Sequence, residues 1–219
     1  GAGFIGSHLC EKLCQRGDEV FGIDILNDYY NPSLKLKNLS FLEKYPNFHF
    51  QKDNILNTTI LQQHQFDCVV NIAAMAGVRY SLQNPTLYMQ TNIEGHTHLL
   101  QEAIKTNVKN FVYASSSSVY GCNTKTPFQE TDALNHINSP YAASKACTEI
   151  VSQLYSRLYN ISTIGLRFFT VYGPRGRPDM APHKFLSNIM AEKPIDKYGD
   201  GDTVRDYTYV SDIVKGIIG

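Results

Sequence analysis

The sequence predicts a doubly wound α/β fold, a parallel sheet with helices on both faces, from three observations. Short apolar runs alternate with amphipathic stretches of helix length up to about residue 169. Two of the runs, VVNIAA at 69–74 and FVYASS at 111–116, are nearly continuous in apolar and small residues, as strands buried on both faces must be. A glycine-rich turn, GAGFIGSH, leads directly into the first amphipathic stretch. Alternation of this kind makes the helices crossovers between parallel strands.

Taken in order, Phe4, Ile5, Leu9 and Leu13 recur at helical spacing and set a helix over 4–16. Strand-like runs follow at 19–24, 48–51, 68–73, 111–115 and 162–168, and helix-length stretches at 34–44, 85–107 and 140–159. The 69–74 and 111–116 runs belong in the middle of the sheet. Ser139 before Pro140 is a cap followed by a first-turn proline, which fixes the start of the 140–159 helix. From about Thr170 the texture changes to Pro, Gly and charge (YGPRGRPDMAPHK), then one helical stretch at 185–192, short extended segments and a helix begun after Ser211. The expected division is 1–169 for the sheet domain and 170–219 for the start of a smaller C-terminal domain. Gly1 opens the chain without the strand that normally precedes such a turn, and the last apolar stretch stops inside a helix, so the sequence reads as a fragment with the first strand missing.

With 219 residues and 42% hydrophobic content the chain can bury a large core. Twenty Lys and Arg balance 20 Asp and Glu, which leaves no net field to hold a polyanion or an acidic membrane surface, so nucleic-acid binding is not expected. No apolar run approaches the roughly 20 residues needed to cross a bilayer. Five cysteines are an odd, scattered count, with Cys10 and Cys14 one helical turn apart in an apolar pattern. Reduced, mostly buried thiols and a cytoplasmic location are expected. His96 and His98 are two apart in a helical stretch and cannot share a face, so no metal site is expected.

Gly1, Gly3 and Gly6 have G-x-G-x-x-G spacing. Glycines let backbone amides approach a pyrophosphate, and the helix N-terminus adds roughly half a positive charge. About 20 residues on, VFGID places Asp24 at a strand end, where a carboxylate accepts both hydroxyls of an adenosine ribose and repels a 2′-phosphate. This favours NAD over NADP. Asp53, Ala73 and Ala74 follow strands at the same C-terminal edge, Asp53 reading equally as a turn or cap residue.

In SPYAASK, Tyr141 and Lys145 are four apart on one helix face, about 6 Å along the axis. A phenol is a poor base at neutral pH, but a neighbouring ammonium and an oxidised nicotinamide stabilise the phenolate, which then takes a proton from a hydroxyl as hydride leaves its carbon. Ser115 to Ser118 end the preceding strand and offer hydroxyls to a substrate oxygen, although a polar loop also tolerates such a run.

Together with AGVRYSLQNP, LRFFTVYGPRGRPDM and RDYTYVSDIV, these residues resemble the NAD-dependent epimerases and dehydratases of nucleotide sugars, in the extended short-chain dehydrogenase/reductase superfamily. Within that group they are most similar to the UDP-glucuronate 4-epimerases, GRPDM and NDYYNP being the most specific stretches. The resemblance implies a Rossmann-like domain over 1–169 and a substrate-binding domain begun at 170. Gly3 and Gly6 would be the second and third fingerprint glycines, with Phe4, Ile5, Asp24, Asp53, Ala73 and Ala74 also lining NAD. Tyr141 would be the acid/base, Lys145 would hold the nicotinamide ribose, and Ser116 would sit beside the sugar O4. Ser117, Ser118, Thr170 and Arg177 would surround the uronate carboxylate. The guanidinium suits that carboxylate by its fork of donors, whereas the loop alone reads equally as a solvated charge. Arg79, Asn92 and Arg205 would hold the rest of the UDP-sugar, Arg205 at the pyrophosphate.

The implied reaction is inversion at C4 through a 4-keto sugar with no net redox change, and the implied assembly is a homodimer through helices 85–107 and 140–159. A 4,6-dehydratase would be expected to carry Asp-Glu at 117 and 118, and a uronate decarboxylase Glu at 118. Both positions are serine. The UDP-galactose 4-epimerases tend to have Asn where Thr170 stands. A nucleotide-binding fragment without activity is the competing reading for the 219 residues alone.

Overall fold

The computed structural model describes residues 1–197, 199–202 and 204–219. Seven strands and nine α-helices are found among them. They run α1 (Phe4–Arg16), β1 (Val20–Asp24), α2 (Pro32–Leu42), β2 (Phe48–Lys52), α3 (Ile60–Gln63), β3 (Cys68–Asn71), α4 (Val78–Gln83), α5 (Pro85–Tyr88), α6 (Gly95–Lys105), β4 (Asn110–Ser116), α7 (Pro140–Tyr159), β5 (Ser162–Phe168), β6 (Thr170–Tyr172), α8 (Ala181–Met190), β7 (Tyr207–Tyr209) and α9 (Val210–Ile218). Every strand pair is parallel: β1 with β2, β3 with β4 and β4 with β5, and β6 with β7. The expected α/β class with parallel strands and helical crossovers is what forms. Among the described residues no helix is long and apolar enough to cross a membrane.

The chain divides into two compact units, one of residues 1–52 with 169–219, the other of 53–168. In the first, Ala2, Cys10 and Cys14 of the α1 region pack with Val20 of β1, Leu39 and Leu42 of α2 and Phe48 of β2. α1 closes at Gly17, whose φ of 97° lets its amide reach the Cys14 and Leu13 carbonyls. In the second unit β4 is the middle strand, and Phe111, Val112, Tyr113, Ser115 and Ser116 are all buried. β3, expected to be equally enclosed, is an end strand of that sheet: Cys68 is exposed and Val69 and Val70 are half-buried. It also stops at Asn71, short of the expected 73, because the Asn71 side chain accepts from the Ala73 amide at 3.2 Å and turns the chain out of the ladder.

The expected continuous helix over 85–107 is interrupted. α5 passes into a wide π-turn, Met89–Glu94, before α6 begins. A Cβ at Gly95 would lie 2.7 Å from the Ile55 side chain, which would have to shift to admit it, so α6 starts closely packed on Ile55. α2 begins two residues before the expected 34, capped by Asn31, whose side chain accepts from the Ser33 amide at 3.0 Å ahead of the first-turn Pro32. Of the five thiols, all unpaired, only Cys10 and Cys14 are buried. Cys68 and Cys122 are exposed, against the expectation of mostly buried cysteines.

Candidate active site

In the first unit the N-terminus of α1 is built from the glycine turn. Gly3 stands at the cap position with no side-chain cap on the helix, and a Cβ added there would meet nothing nearer than Tyr30 Oη at 4.0 Å. At Gly6 a Cβ would crowd the Gly1 carbonyl oxygen at 3.1 Å, and glycine there lets the helix start close under the turn. Asp24 lies at the end of β1. One carboxylate oxygen accepts from the Leu26 amide at 2.9 Å and from Lys35 at 3.1 Å, the other from the Ala2 amide at 3.2 Å. Burial opposes its charge, while Lys35 and the Leu26 amide favour the ionised carboxylate. Bare amides at a helix N-terminus and an ionised acid at the adjacent strand end suit the pyrophosphate and adenosine ribose of NAD.

Lys35 had no role in the sequence reading. It is buried on the inner face of α2, bonded to Asp24 and, at 3.0 Å, to Asn27 Oδ1, with its ammonium 5.3 Å from the Tyr30 ring centre. Its signal was a lysine in register with Asn38, Leu39 and Leu42 on the apolar side.

The same unit carries three expected substrate residues. Thr170 opens β6, paired with Tyr207, and is half-buried. Arg177 grips Asp179 through Nε at 3.0 Å and Nη2 at 2.5 Å, and its guanidinium lies 5.5 Å from the Tyr29 ring centre. The fork is therefore set for a carboxylate, here one from the protein itself. Arg205 is exposed, with Nη1 donating to the Val204 carbonyl at 2.8 Å.

In the second unit the chemistry-bearing groups gather at the C-terminal end of β4. Ser116 is its last residue, and Ser117–Tyr120 turn away as a short 3-10 helix capped by Ser116 Oγ, which accepts from the Ser118 amide at 3.2 Å and the Ser118 hydroxyl at 2.9 Å. α7 starts as the sequence indicated: Ser139 Oγ accepts from the Ala142 amide at 3.2 Å and Pro140 occupies the first turn. That places Tyr141 in the first turn, half-buried, with its ring edge-on to Tyr88 at 6.1 Å, and Lys145 one turn later. Lys145 is 5% exposed and donates to the Ala114 carbonyl at 2.7 Å, and burial lowers its pKa to about 8.

Asp53 brackets the following loop, accepting from the Asn54 amide at 2.7 Å and the Thr58 hydroxyl. Ala73 and Arg79 are exposed and Ala74 is half-buried. Asn92, expected at the UDP portion, is 2% exposed, and its amide is engaged inside the protein: Oδ1 accepts from Met75 N at 2.8 Å, and Nδ2 donates to Met75 O and Ser144 Oγ, each at 2.9 Å. The π-turn swings this side chain inward, where it braces the loop after β3 against α7. Glu149, two turns beyond Tyr141 on α7, accepts from Ser115 and from Arg167 of β5. The spacing puts 141, 145 and 149 on one face, but it does not distinguish a buried glutamate from a surface charge.

A parallel α/β fold with a glycine turn at one helix N-terminus and a Tyr-x-x-x-Lys helix beside a serine-bearing strand end defines a dinucleotide-dependent enzyme class. Residues 1–218 match the NAD dependent epimerase/dehydratase family, and the chain belongs to it. It is 49% identical to Protein CapI of Staphylococcus aureus over 99% of this chain and 66% of that protein. It is 44% identical to UDP-glucuronate 4-epimerase 3 of Arabidopsis thaliana, over 100% of this chain and 52% of that one. The fold superposes with a TM-score of 0.92 on the UDP-glucuronic acid 4-epimerase of Bacillus cereus, solved with UDP-glucuronic acid and NAD, at 37% identity over 99% of this chain and 69% of that one. The chain thus spans between half and about two thirds of the length of these relatives.

Proposed function

We propose that the protein is an NAD-dependent nucleotide-sugar 4-epimerase that interconverts UDP-glucuronate and UDP-galacturonate. The carrying observation is the end of β4: a capped helix presents Tyr141 and, one turn later, a buried Lys145 fastened to Ala114, two residues before Ser116. The names and ligands of the Arabidopsis and Bacillus relatives support the choice of sugar.

NAD, when bound, supplies the group that takes hydride from C4 of the sugar and returns it. Tyr141 Oη removes the O4 proton and later delivers it on the opposite face, after the 4-keto sugar has turned. The Lys145 ammonium favours the phenolate and donates to the nicotinamide ribose. Ser116 donates to O4, and its bond from Ser118 sets the direction of its own proton. Ser117, Ser118, Thr170 and the Arg177 fork receive the uronate carboxylate. Arg79 and Arg205, both exposed cations, hold the UDP portion. Gly3, Phe4, Ile5 and Gly6 receive the pyrophosphate of the cofactor, Asp24 its adenosine ribose, and Asp53, Ala73 and Ala74 line it further. Residues 170–219 open the substrate domain, and five unpaired thiols suit the cytoplasm. The enzyme works as a homodimer through α7 and the 85–105 region.

The test is proton NMR of UDP-glucuronate incubated with the full-length protein without added NAD. The anomeric signal of UDP-galacturonate is expected to grow in, and Tyr141→Phe to slow it by about 100-fold or more. Conversion of UDP-glucose instead would remove Arg177 from the carboxylate. A pentose or a released 4-keto product would replace epimerisation by decarboxylation or dehydration.

A further inference from the structure

Tyr141, Lys145 and Glu149 follow one another at steps of four along one face of α7. The second and third bond to consecutive residues of β4: Lys145 Nζ donates to the Ala114 carbonyl at 2.7 Å, and the Ser115 hydroxyl donates to Glu149 Oε1 at 2.5 Å. Ser116 comes next. Glu149 is 7% exposed, and both of its oxygens also accept from Arg167, Oε1 from Nε at 3.0 Å and Oε2 from Nη2 at 2.8 Å. The same guanidinium reaches two further segments. Its Nη1 donates to the Glu130 carbonyl at 3.2 Å, and its central carbon lies 4.9 Å from the ring centre of Tyr120, the last residue of the serine turn. Tyr120 in turn stacks on Phe128 at 4.5 Å and 12°.

One ion pair therefore joins the helix carrying Tyr141, the strand ending in Ser116, the turn bearing Ser117 and Ser118, and the segment at 128–130. Apolar packing would fill the same space, but a bidentate guanidinium–carboxylate pair fixes direction as well as distance. Buried pairs of this kind add little net stability over an apolar pair of similar volume. A proton transfer from O4 to Tyr141, in contrast, is sensitive to misplacement of about 1 Å.

We propose that Glu149 and Arg167 are positioning residues whose ion pair sets the catalytic helix against the serine turn, holding Tyr141 and Ser116 in the geometry for proton transfer. The inference rests on the roles given above to Tyr141 and Ser116.

The decisive comparison is wild type against a Glu149→Met/Arg167→Met double variant, which removes both charges and leaves neither one buried alone. The double variant is expected to unfold close to the wild-type temperature, to lose about 10- to 100-fold in kcat for UDP-glucuronate, and to keep KM within about threefold. Arg167→Lys, which keeps the charge without the fork, is expected to fold and to recover part of the lost kcat. It gives the same kcat-against-KM reading should the double variant fail to fold. A folded double variant with wild-type kcat, or a loss confined to KM, overturns the proposal. If the wild type turns over no nucleotide sugar, the proposed reaction falls on its own, and hydrogen exchange decides the positioning role. Faster exchange at 116–121 in the variants with α7 still protected supports it; unchanged exchange refutes it.

Discussion

At the scale of the residue, Lys145 carries a measurable electrostatic signature. Its ammonium is buried against a neutral carbonyl, and that burial lowers its pKa from an ordinary value of 10.5 to about 8. The folded state then holds fewer protons than the unfolded state between pH 8 and 10.5, so stability rises with pH across that window. Below pH 8 both states are protonated, and the full penalty for the buried charge is present. Relative to Lys145→Met, the wild type should therefore gain about 3 kcal/mol of unfolding free energy between pH 7.5 and 10.5. Urea unfolding of the two proteins at both pH values measures this, and a constant difference would show that the ammonium is solvated. The Tyr141–Lys145 pair was legible because its chemistry depends on a spacing of four on a helix. Glu149, on the same face, was not singled out, because a glutamate in mid-helix reads as a surface charge until Ser115 and Arg167 are seen around it. Asn92 reads from sequence as a ligand residue. Its burial in a π-turn, bonded to Met75 and Ser144, depends on a departure from α-helical spacing that has no periodic signature.

At the scale of the element, α7 links sequence to chemistry most directly, because its N-cap lies two residues from the proposed acid/base. Ser139 is 6% exposed and satisfies the Ala142 amide. Ser139→Ala leaves that amide without its partner and should cost about 1 kcal/mol of unfolding free energy. It should also lower kcat more than KM, because the first turn that frays contains Tyr141, and Ser139→Asp should restore both. Denaturant unfolding and steady-state kinetics check this together, and loss of stability with unchanged kcat would separate the cap from the chemistry. The cap-then-proline signal made the start of α7 readable from sequence. The equivalent signal at Asn31 and Pro32 is obscured because the apolar pattern of α2 begins only at Leu34. β3 ends early for a related reason: Asn71 competes with the ladder for local backbone donors, a preference that the apolar run around it conceals.

At the scale of the whole molecule, balanced charge gives no net field to drive association, so the proposed homodimer calls for an apolar surface. α7 provides such a surface. Ile150, Leu154 and Leu158 recur at steps of four and are 64%, 50% and 61% exposed, whereas Ser144, Glu149 and Ser152 on the same helix are buried. A stripe of large aliphatic side chains of this kind suits the interface of the proposed homodimer. A twofold axis passing beside it would bring the stripe against its own copy. The purified protein should therefore sediment as a dimer at about 10 μM. In a Leu154→Arg/Leu158→Arg variant the same twofold would set like charges face to face, and the dimer should dissociate by at least about tenfold in Kd. Because both positions are exposed within the chain, the unfolding temperature extrapolated to low protein concentration should stay near that of wild type, which separates lost association from lost folding. A wild type that sediments as a monomer at that concentration would mean that the stripe serves another contact.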